Sequence, residues 1–387
     1  MELGDPRLVR TREQVRAVLV EGPASRTQIT AATGLAPGTV ARAVRSLIDD
    51  GEAHELPAAG QGRGRPATLV ALESLRGFVL GLEIGLARVT AGLADASGAL
   101  VGERTVSLDG APDGERAGAA AARLVADLLE THGVPREQVL STVVCIPAPV
   151  DPKTGTVHDA PIVVEPWRGT HPAQMLEGWL GLPVTVMNDA NAAALAERSA
   201  GAARGVQDLV YLHATVGVGA GLVLGDSLHT GADGGAGEIG HIRLHEASDL
   251  CRCGQRGCLE SEASAAALVR KMAAVGFDLT DGQTVDELIR DTVGDAVVAR
   301  LLGQAASALG SVLADMCNAL SPTMVVIGGE LAAGGTALVA GVQESMRRYA
   351  LSTVSRRVRI ELAALGSRAG MIGAVESAAA QVRRLGR

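Results

Sequence analysis

Three clusters in this 387-residue chain combine residue types and spacings that could do chemistry. The densest is Cys251-Arg252-Cys253-Gly254-Gln255-Arg256-Gly257-Cys258, which holds three of the five cysteines, with His241 ten positions upstream. Three thiolates and one imidazole fill a tetrahedral Zn2+ site, and the interleaved glycines permit the tight turn that converges them. A zinc ion filled by His241, Cys251, Cys253 and Cys258 is structural and not catalytic. Ligation would also orient the His241 ring, leaving its second nitrogen to face a ligand. The plainer alternative is a set of unliganded thiols. Cys145 and Cys317 lie in apolar runs and read as small core residues.

The second cluster is Gly234-Gly235-Ala236-Gly237-Glu238-Ile239-Gly240-His241. Its glycines let backbone approach a ligand closely, and Glu238 and His241 could meet one small polar ligand. Its plainer reading is a flexible glycine loop. The third is Asn188-Asp189-Ala190-Asn191, where a strand over Val184 to Met187 runs into a helix. A carboxylate at a helix N-terminus is favoured by the dipole and by free N–H groups. There Asp189 could accept a hydrogen bond from a hydroxyl or take its proton. An ordinary helix cap is the alternative.

The elements that must position these clusters alternate in type. Strands are expected at Phe78 to Ile84, Val89 to Leu93, Leu100 to Val106 and Val139 to Ile146, with an Ala-rich helix over Gly114 to His132. The order repeats with strands at Leu209 to Ala214, Gly221 to Leu224 and Met324 to Ile327. This is α/β alternation in which antiparallel hairpins open each half, and two related lobes with a ligand cleft between them follow.

Residues 1–72 read differently. A helix is expected from Leu8 to Glu21. Ser25 with Gln28 three residues on is a capping box for a short second helix that Gly34 ends. Pro37 opens a third, closed at Gly51, with Val40, Val44, Leu47 and Ile48 on one face and Thr39, Arg42, Arg45 and Ser46 on the other. Ala53 to Leu72 reads as strand, turn, strand, tipped by Gly62-Arg63-Gly64-Arg65-Pro66. Together these make a winged helix-turn-helix DNA-binding unit, with Arg63 and Arg65 suited to a narrow minor groove and A·T-rich flanks. A plain three-helix packing unit with a solvated loop is the alternative.

Charge agrees with this division. The net charge of −8 splits into a near-neutral, Arg-dotted head and an acidic body, so nucleic-acid contact belongs to the head. Apolar residues make up 47% and charged residues 20%, which excludes wholesale disorder. The longest uncharged run, Leu209 to Gly225, is glycine-rich and short of a membrane span. No signal-peptide pattern opens the chain, and a cytoplasmic location without membrane contact is expected.

The body resembles the ROK family (repressor, open reading frame, kinase). The resemblance is carried in order by Pro147-Ala148-Pro149-Val150-Asp151, Asn188-Asp189-Ala190-Asn191, Glu238-Ile239-Gly240-His241 and the Cys251 to Glu260 stretch. It implies an actin-like ATPase (RNase H-like) two-lobed sugar-kinase fold, α/β in class, preceded by the α+β winged head. Lobe 1 would cover 75–195, with the C-terminal helix 370–387 returning to it, and lobe 2 would cover 196–369 with the zinc loop. It further implies that Asn188, Asp189, Glu238, His241 and Glu260 bind sugar hydroxyls. His241, Cys251, Cys253 and Cys258 match the family's zinc ligands, and Asp189 matches the base of its kinases.

Departures from the kinase pattern shape the expected function. Where family kinases carry an Asp-x-Gly-Gly-Thr-type phosphate loop, this chain has Glu83-Ile84-Gly85-Leu86-Ala87-Arg88. Where they tend to carry Gly-Thr-Gly, it has Thr215-Val216-Gly217, and Ala148 replaces a typical glycine. Side chains then occupy space where backbone N–H groups would approach phosphate. The expected protein is therefore not an enzyme. It is a sugar-responsive transcriptional regulator, a repressor released by a monosaccharide or its derivative, binding operator DNA as a homodimer or homotetramer. The alternative is an ATP-dependent sugar kinase with an accessory DNA-binding head.

Overall fold

The computed structural model describes all residues except 1–5, 21, 51, 58–67, 73–76, 109–113, 158–166, 246 and 386–387. The chain divides into two compact units, residues 1–76 with 381–387, and residues 77–380.

The first unit holds α1 (Pro6–Val20), β1 (Ala24–Ser25), α2 (Arg26–Thr33), α3 (Pro37–Asp49), β2 (Ala53–Pro57) and β3 (Thr68–Leu72). Ser25 caps α2 in a full capping box with Gln28, and Gly34 closes it. Val40, Ala43, Val44 and Leu47 of α3 pack with Val15, Leu19, Ile29 and Val70 into a small core. β2 and β3 form an antiparallel hairpin, and β1 adds to β3. Its tip, with Arg63 and Arg65, lies outside the described residues, as do Glu21 and Gly51. Arg12 donates to Glu52 at 2.7 Å and to Ser46 Oγ at 3.0 Å, pinning α1 across the end of α3.

In the second unit, β4 (Phe78–Ile84), β5 (Arg88–Asp95), β6 (Leu100–Ser107), β7 (Val139–Ile146) and β8 (Thr185–Asn188) make one sheet, ordered β6-β5-β4-β7-β8. The helices α4 (Gly114–Thr131), α5 (Pro172–Leu180) and α6 (Asp189–Ser199) punctuate it. A second sheet, β11-β10-β9-β12-β13, is built from β9 (Leu209–Ala214), β10 (Val218–Leu224), β11 (Ser227–Leu228), β12 (Met324–Gly328) and β13 (Arg359–Leu362). Both sheets join an antiparallel meander to two parallel strands, so one topology occurs twice. The remaining helices are α7 (Leu259–Ala263), α8 (Ala265–Ala273), α9 (Val285–Thr292), α10 (Ala296–Leu320), α11 (Gly335–Tyr349), α12 (Ser352–Ser355) and α13 (Ala369–Leu385).

Most expected strands stand within a residue or two of their expected ends. The clear exception is β10, which starts at Val218 and not at Gly221, because its ladder with β9 continues to Val218 opposite Ala214. Gly221 sits where α6 crosses, and a Cβ there would strike the Ala190 carbonyl. Helix α13 packs on the first sheet, with Met371 and Val375 against Gly81 and Gly92. Among the described residues, α10 is the one helix long and apolar enough to cross a membrane, although Arg300 and Asp315 interrupt it. Its apolar face, including Val298, Leu302, Leu309 and Leu313, is buried in the core beneath the second sheet.

Candidate functional site: a polar cleft beside a Cys3His cluster

The strand ends of both sheets face one cavity of about 820 Å³, lined among others by Asn188, Asp189, Glu238, Arg252 and Glu260. Its volume is that of a small-molecule site.

At the β8–α6 junction the cap is Asn188 and not Asp189. Asn188 Oδ1 accepts from Asn191 N at 3.0 Å, while Nδ2 donates to the Ala148 carbonyl and to Asp189 Oδ1, both at 3.2 Å. Both amide protons of Asn188 are thus spent on holding its neighbour. Asp189 Oδ1 also accepts from Ala190 N at 2.7 Å, and Oδ2 points to His213 Nε2 at 3.6 Å.

The glycine loop around Glu238 reaches the cavity at Ala236 and Gly237, but its glycines are also required for packing against backbone. Gly234, Gly237 and Gly240 lie against the backbones of Val150, Ala220 and Val218, where a Cβ would collide. The loop is close-packed, and this packing aims Glu238. Burial pushes the Glu238 carboxyl up to about 7, helped by the charges of Asp189 and Glu260 and opposed by Arg252. A carboxyl in that range can donate to a hydroxyl or accept from it. Between about pH 4.5 and 7 the folded chain keeps a proton there that the unfolded chain has lost, so this group's contribution to stability falls as pH rises. Glu238→Gln is therefore expected to leave the urea midpoint near pH 5 unchanged. Near pH 8 it should stabilise by roughly 1–2 kcal/mol after discounting for partial exposure. Equal midpoints at both pH values would refute this.

Glu260, in the first turn of α7, is buried and already well bonded. It accepts from Arg252 Nε at 2.8 Å, from an Arg252 terminal nitrogen at 3.1 Å and from Val218 N at 3.2 Å. This two-point pair ties the cysteine loop to the β9–β10 turn.

The cysteine loop forms the cluster that the spacing implied. One ligand atom from each of His241, Cys251, Cys253 and Cys258 lies within 4.8 Å of the others. Cys251 Sγ is 3.6 Å from His241 Nδ1, and Cys253 Sγ is 3.6 Å from Cys258 Sγ. A tetrahedral zinc ion has edges of about 3.5–3.8 Å between such ligands, so the donor set could hold a metal ion. With Nδ1 turned to the sulfurs, His241 Nε2 faces Glu238 Oε2 at 4.0 Å. Burial and the neighbouring sulfurs push the Cys258 thiol up to about 12, and a metal there would displace that proton.

Among the DNA-contact candidates, Arg42 and Arg45 are exposed, Thr39 is half-buried, and Ser46 is engaged by Arg12. Sequence reasoning missed His213, Arg252 and Glu330, all of which line the cavity. A lone histidine in a 17-residue uncharged run was the available signal for His213.

The comparisons agree with this geometry. The ROK family model matches residues 79–381. The xylose repressor of Caldicellulosiruptor bescii is 28% identical over 366 residues, spanning 91% of this chain and 90% of its own. The crystal structure of a ROK family glucokinase from Streptomyces griseus, with glucose and AMPPNP, is 32% identical at a TM-score of 0.67, covering 78% of this chain and 99% of that one. A ROK family transcriptional regulator, a homologue of the E. coli Mlc protein, shares the fold at a TM-score of 0.80 and 24% identity, with 98% of both chains covered. Its two sheets of one topology, its polar cleft and its family match together place this chain in the ROK family, with the actin-like sugar-kinase fold.

Proposed function

We propose that this protein is a sugar-responsive DNA-binding transcriptional regulator, a repressor released when a monosaccharide or its derivative occupies the cleft. The observation that carries the reading is the convergence of Asp189, Glu238 and Glu260 on one cavity, with His241 beside Glu238, in a chain similar to a xylose repressor over 91% of its length. A pyranose hydroxyl both donates and accepts, which suits this set. Asn188 contributes by fixing Asp189.

The head, as a winged helix-turn-helix, places α3 in the major groove of operator DNA, with Thr39, Arg42 and Arg45 as contacts. His241, Cys251, Cys253 and Cys258 hold a structural zinc ion, which stiffens the wall that carries Arg252 and Glu260. A homodimer or homotetramer in the cytoplasm fits an operator with repeated half-sites.

Leu86, Ala87 and Val216 argue against phosphoryl transfer, which rests on backbone cradles for phosphate. The kinase reading keeps one support, the retained Asp189 in a chain similar to a glucokinase. A coupled assay with ATP and hexoses decides it, and clear turnover would overturn the regulator reading.

The direct test measures operator affinity across a salt series, with and without candidate sugars. Sugar is expected to weaken DNA binding, and DNA to weaken sugar binding by the same factor. Arg42→Ala with Arg45→Ala should reduce the salt slope by about 1.8 for each bound head, about 3.6 for a dimer on two half-sites, if both arginines meet phosphates. An affinity indifferent to every sugar removes the effector.

A further inference from the structure

Three carboxylates from different elements line the cleft around one imidazole. Glu83 ends β4, Asp189 opens α6, and Glu330 follows β12. His213 lies on the central strand β9, with Nε2 3.6 Å from Asp189 Oδ2. Its ring stacks on Tyr211, with centroids 5.9 Å apart and planes at 30°, which fixes the ring plane. Opposite it in the ladder stand Gly219 on β10 and Gly328 on β12, so no neighbouring side chain screens it.

We propose that His213 is the built-in cation of the cleft, an imidazolium that positions Asp189 for an effector hydroxyl and makes effector binding depend on protons. This rests on the effector reading above and adds its regulation.

Buried carboxylates without a compensating charge are strongly unfavourable. Among the described residues, His213 is the cationic side chain that stands within ion-pair distance of Asp189. Arg88 acts on Glu83. Burial pushes the Cys145 thiol and the Tyr211 phenol up, so both stay neutral. Burial likewise pushes Glu83 towards its protonated form. For His213, burial pulls downward, but the charge of Asp189 and a hydrogen bond to it, with smaller help from Glu83 and Glu330, outweigh it and the net displacement is upward. His213 Nδ1, Glu83 Oε2 and Glu330 Oε2 are buried without a hydrogen-bond partner, so the cluster holds unspent donor and acceptor capacity around that proton.

The linkage has a definite sign. An effector hydroxyl on Asp189 displaces water and strengthens the attraction between Asp189 and His213, so binding raises the His213 pKa. Affinity is then highest with His213 protonated and falls as pH rises through its free-state value, about tenfold for each unit by which binding raises that value.

Two measurements on the full chain decide the matter. In the first, NMR follows the His213 imidazole in the wild type and in Asp189→Asn. The expected midpoint lies above the ordinary histidine value and drops in the variant. A midpoint at or below that value, or one untouched by the substitution, overturns the proposal. In the second, calorimetry titrates D-glucose and D-xylose from about pH 6 to about pH 9. Wild-type affinity should fall about tenfold. His213→Gln keeps a donor near the Nε2 position but cannot titrate, and it should flatten the profile. His213→Ala should bind weakly at every pH. Because the Glu238 carboxyl in the same cleft is also pushed up to about 7, the profiles are compared in a Glu238→Gln background, and a flat profile there, or a slope that survives the addition of His213→Gln, overturns the proposal. If neither sugar binds at any pH, the effector reading fails, and the imidazole titration still judges the proton link.

Discussion

With the proposed zinc ion and sugar effector, Cys253→Ser is expected to lose metal binding and the effector response in one step. The four ligand atoms lie within 4.8 Å of one another, two pairs of them at 3.6 Å, and every ligand after His241 lies within eight residues. Structural zinc in small peptides contributes roughly 10–16 kcal/mol, far more than a loop this short could gain from apolar packing. The loop also carries function directly. Arg252 stands between two ligands, and Glu260 follows Cys258 by two residues, so both halves of the Arg252–Glu260 pair depend on the loop. His241 would lose the bond that turns Nε2 towards Glu238. Metal content should fall from about one equivalent per chain to nearly none, and sugar affinity by about 100-fold or more. Operator binding without sugar should persist. A metal-free variant with wild-type sugar affinity would separate the two sites and defeat this account.

Glu197→Ala is expected to be the most destabilising single change in the body away from the cleft. Glu197 is fully buried on α6. Its Oε2 accepts from Ala202 N at 2.8 Å and from Ala364 N at 3.1 Å, and its Oε1 accepts from Leu365 N at 2.8 Å. One carboxylate therefore satisfies three backbone donors and joins α6 to the segment after β13. Alanine would leave those three donors without their partner, at up to about 1–3 kcal/mol each where water cannot reach them. A loss of about 3 kcal/mol or more in urea unfolding is expected. Glu197→Gln keeps one acceptor and should lose less. A loss under about 1 kcal/mol for the alanine variant would mean that water reaches those N–H groups.

Much of the scaffold was legible because its signals are local. Ser25 and Gln28 form their capping box within a single turn. The apolar runs at Phe78–Ile84 and Leu209–Ala214 are strands as expected. The cysteine loop could be read from spacing because its ligands are near neighbours in the chain. Less legible was the purpose of the glycines before His241. A glycine signals close approach, but the sequence does not say to what, and the partners are Val150, Ala220 and Val218, far away or on another strand. An ordinary helix cap was the alternative reading of Asp189. The choice fell to Asn188 because only an amide can cap Asn191 and also donate to the Ala148 carbonyl, forty residues earlier.

From the residues alone came the division into a basic-dotted head and an acidic α/β body, the family, the Cys3His cluster and the carboxylates of the cleft. The division and the Cys3His cluster are written in composition and short spacings, whereas the family and the full set of cleft carboxylates came from the motifs that resemble the ROK family. Tertiary structure alone decided that Arg252 locks Glu260 to the β9–β10 turn, and that His213 stands among Glu83, Asp189 and Glu330. Those relations join residues dozens to hundreds of positions apart. They exist because two separately formed sheets bring their strand ends to one cleft, where burial makes each charge depend on its neighbours.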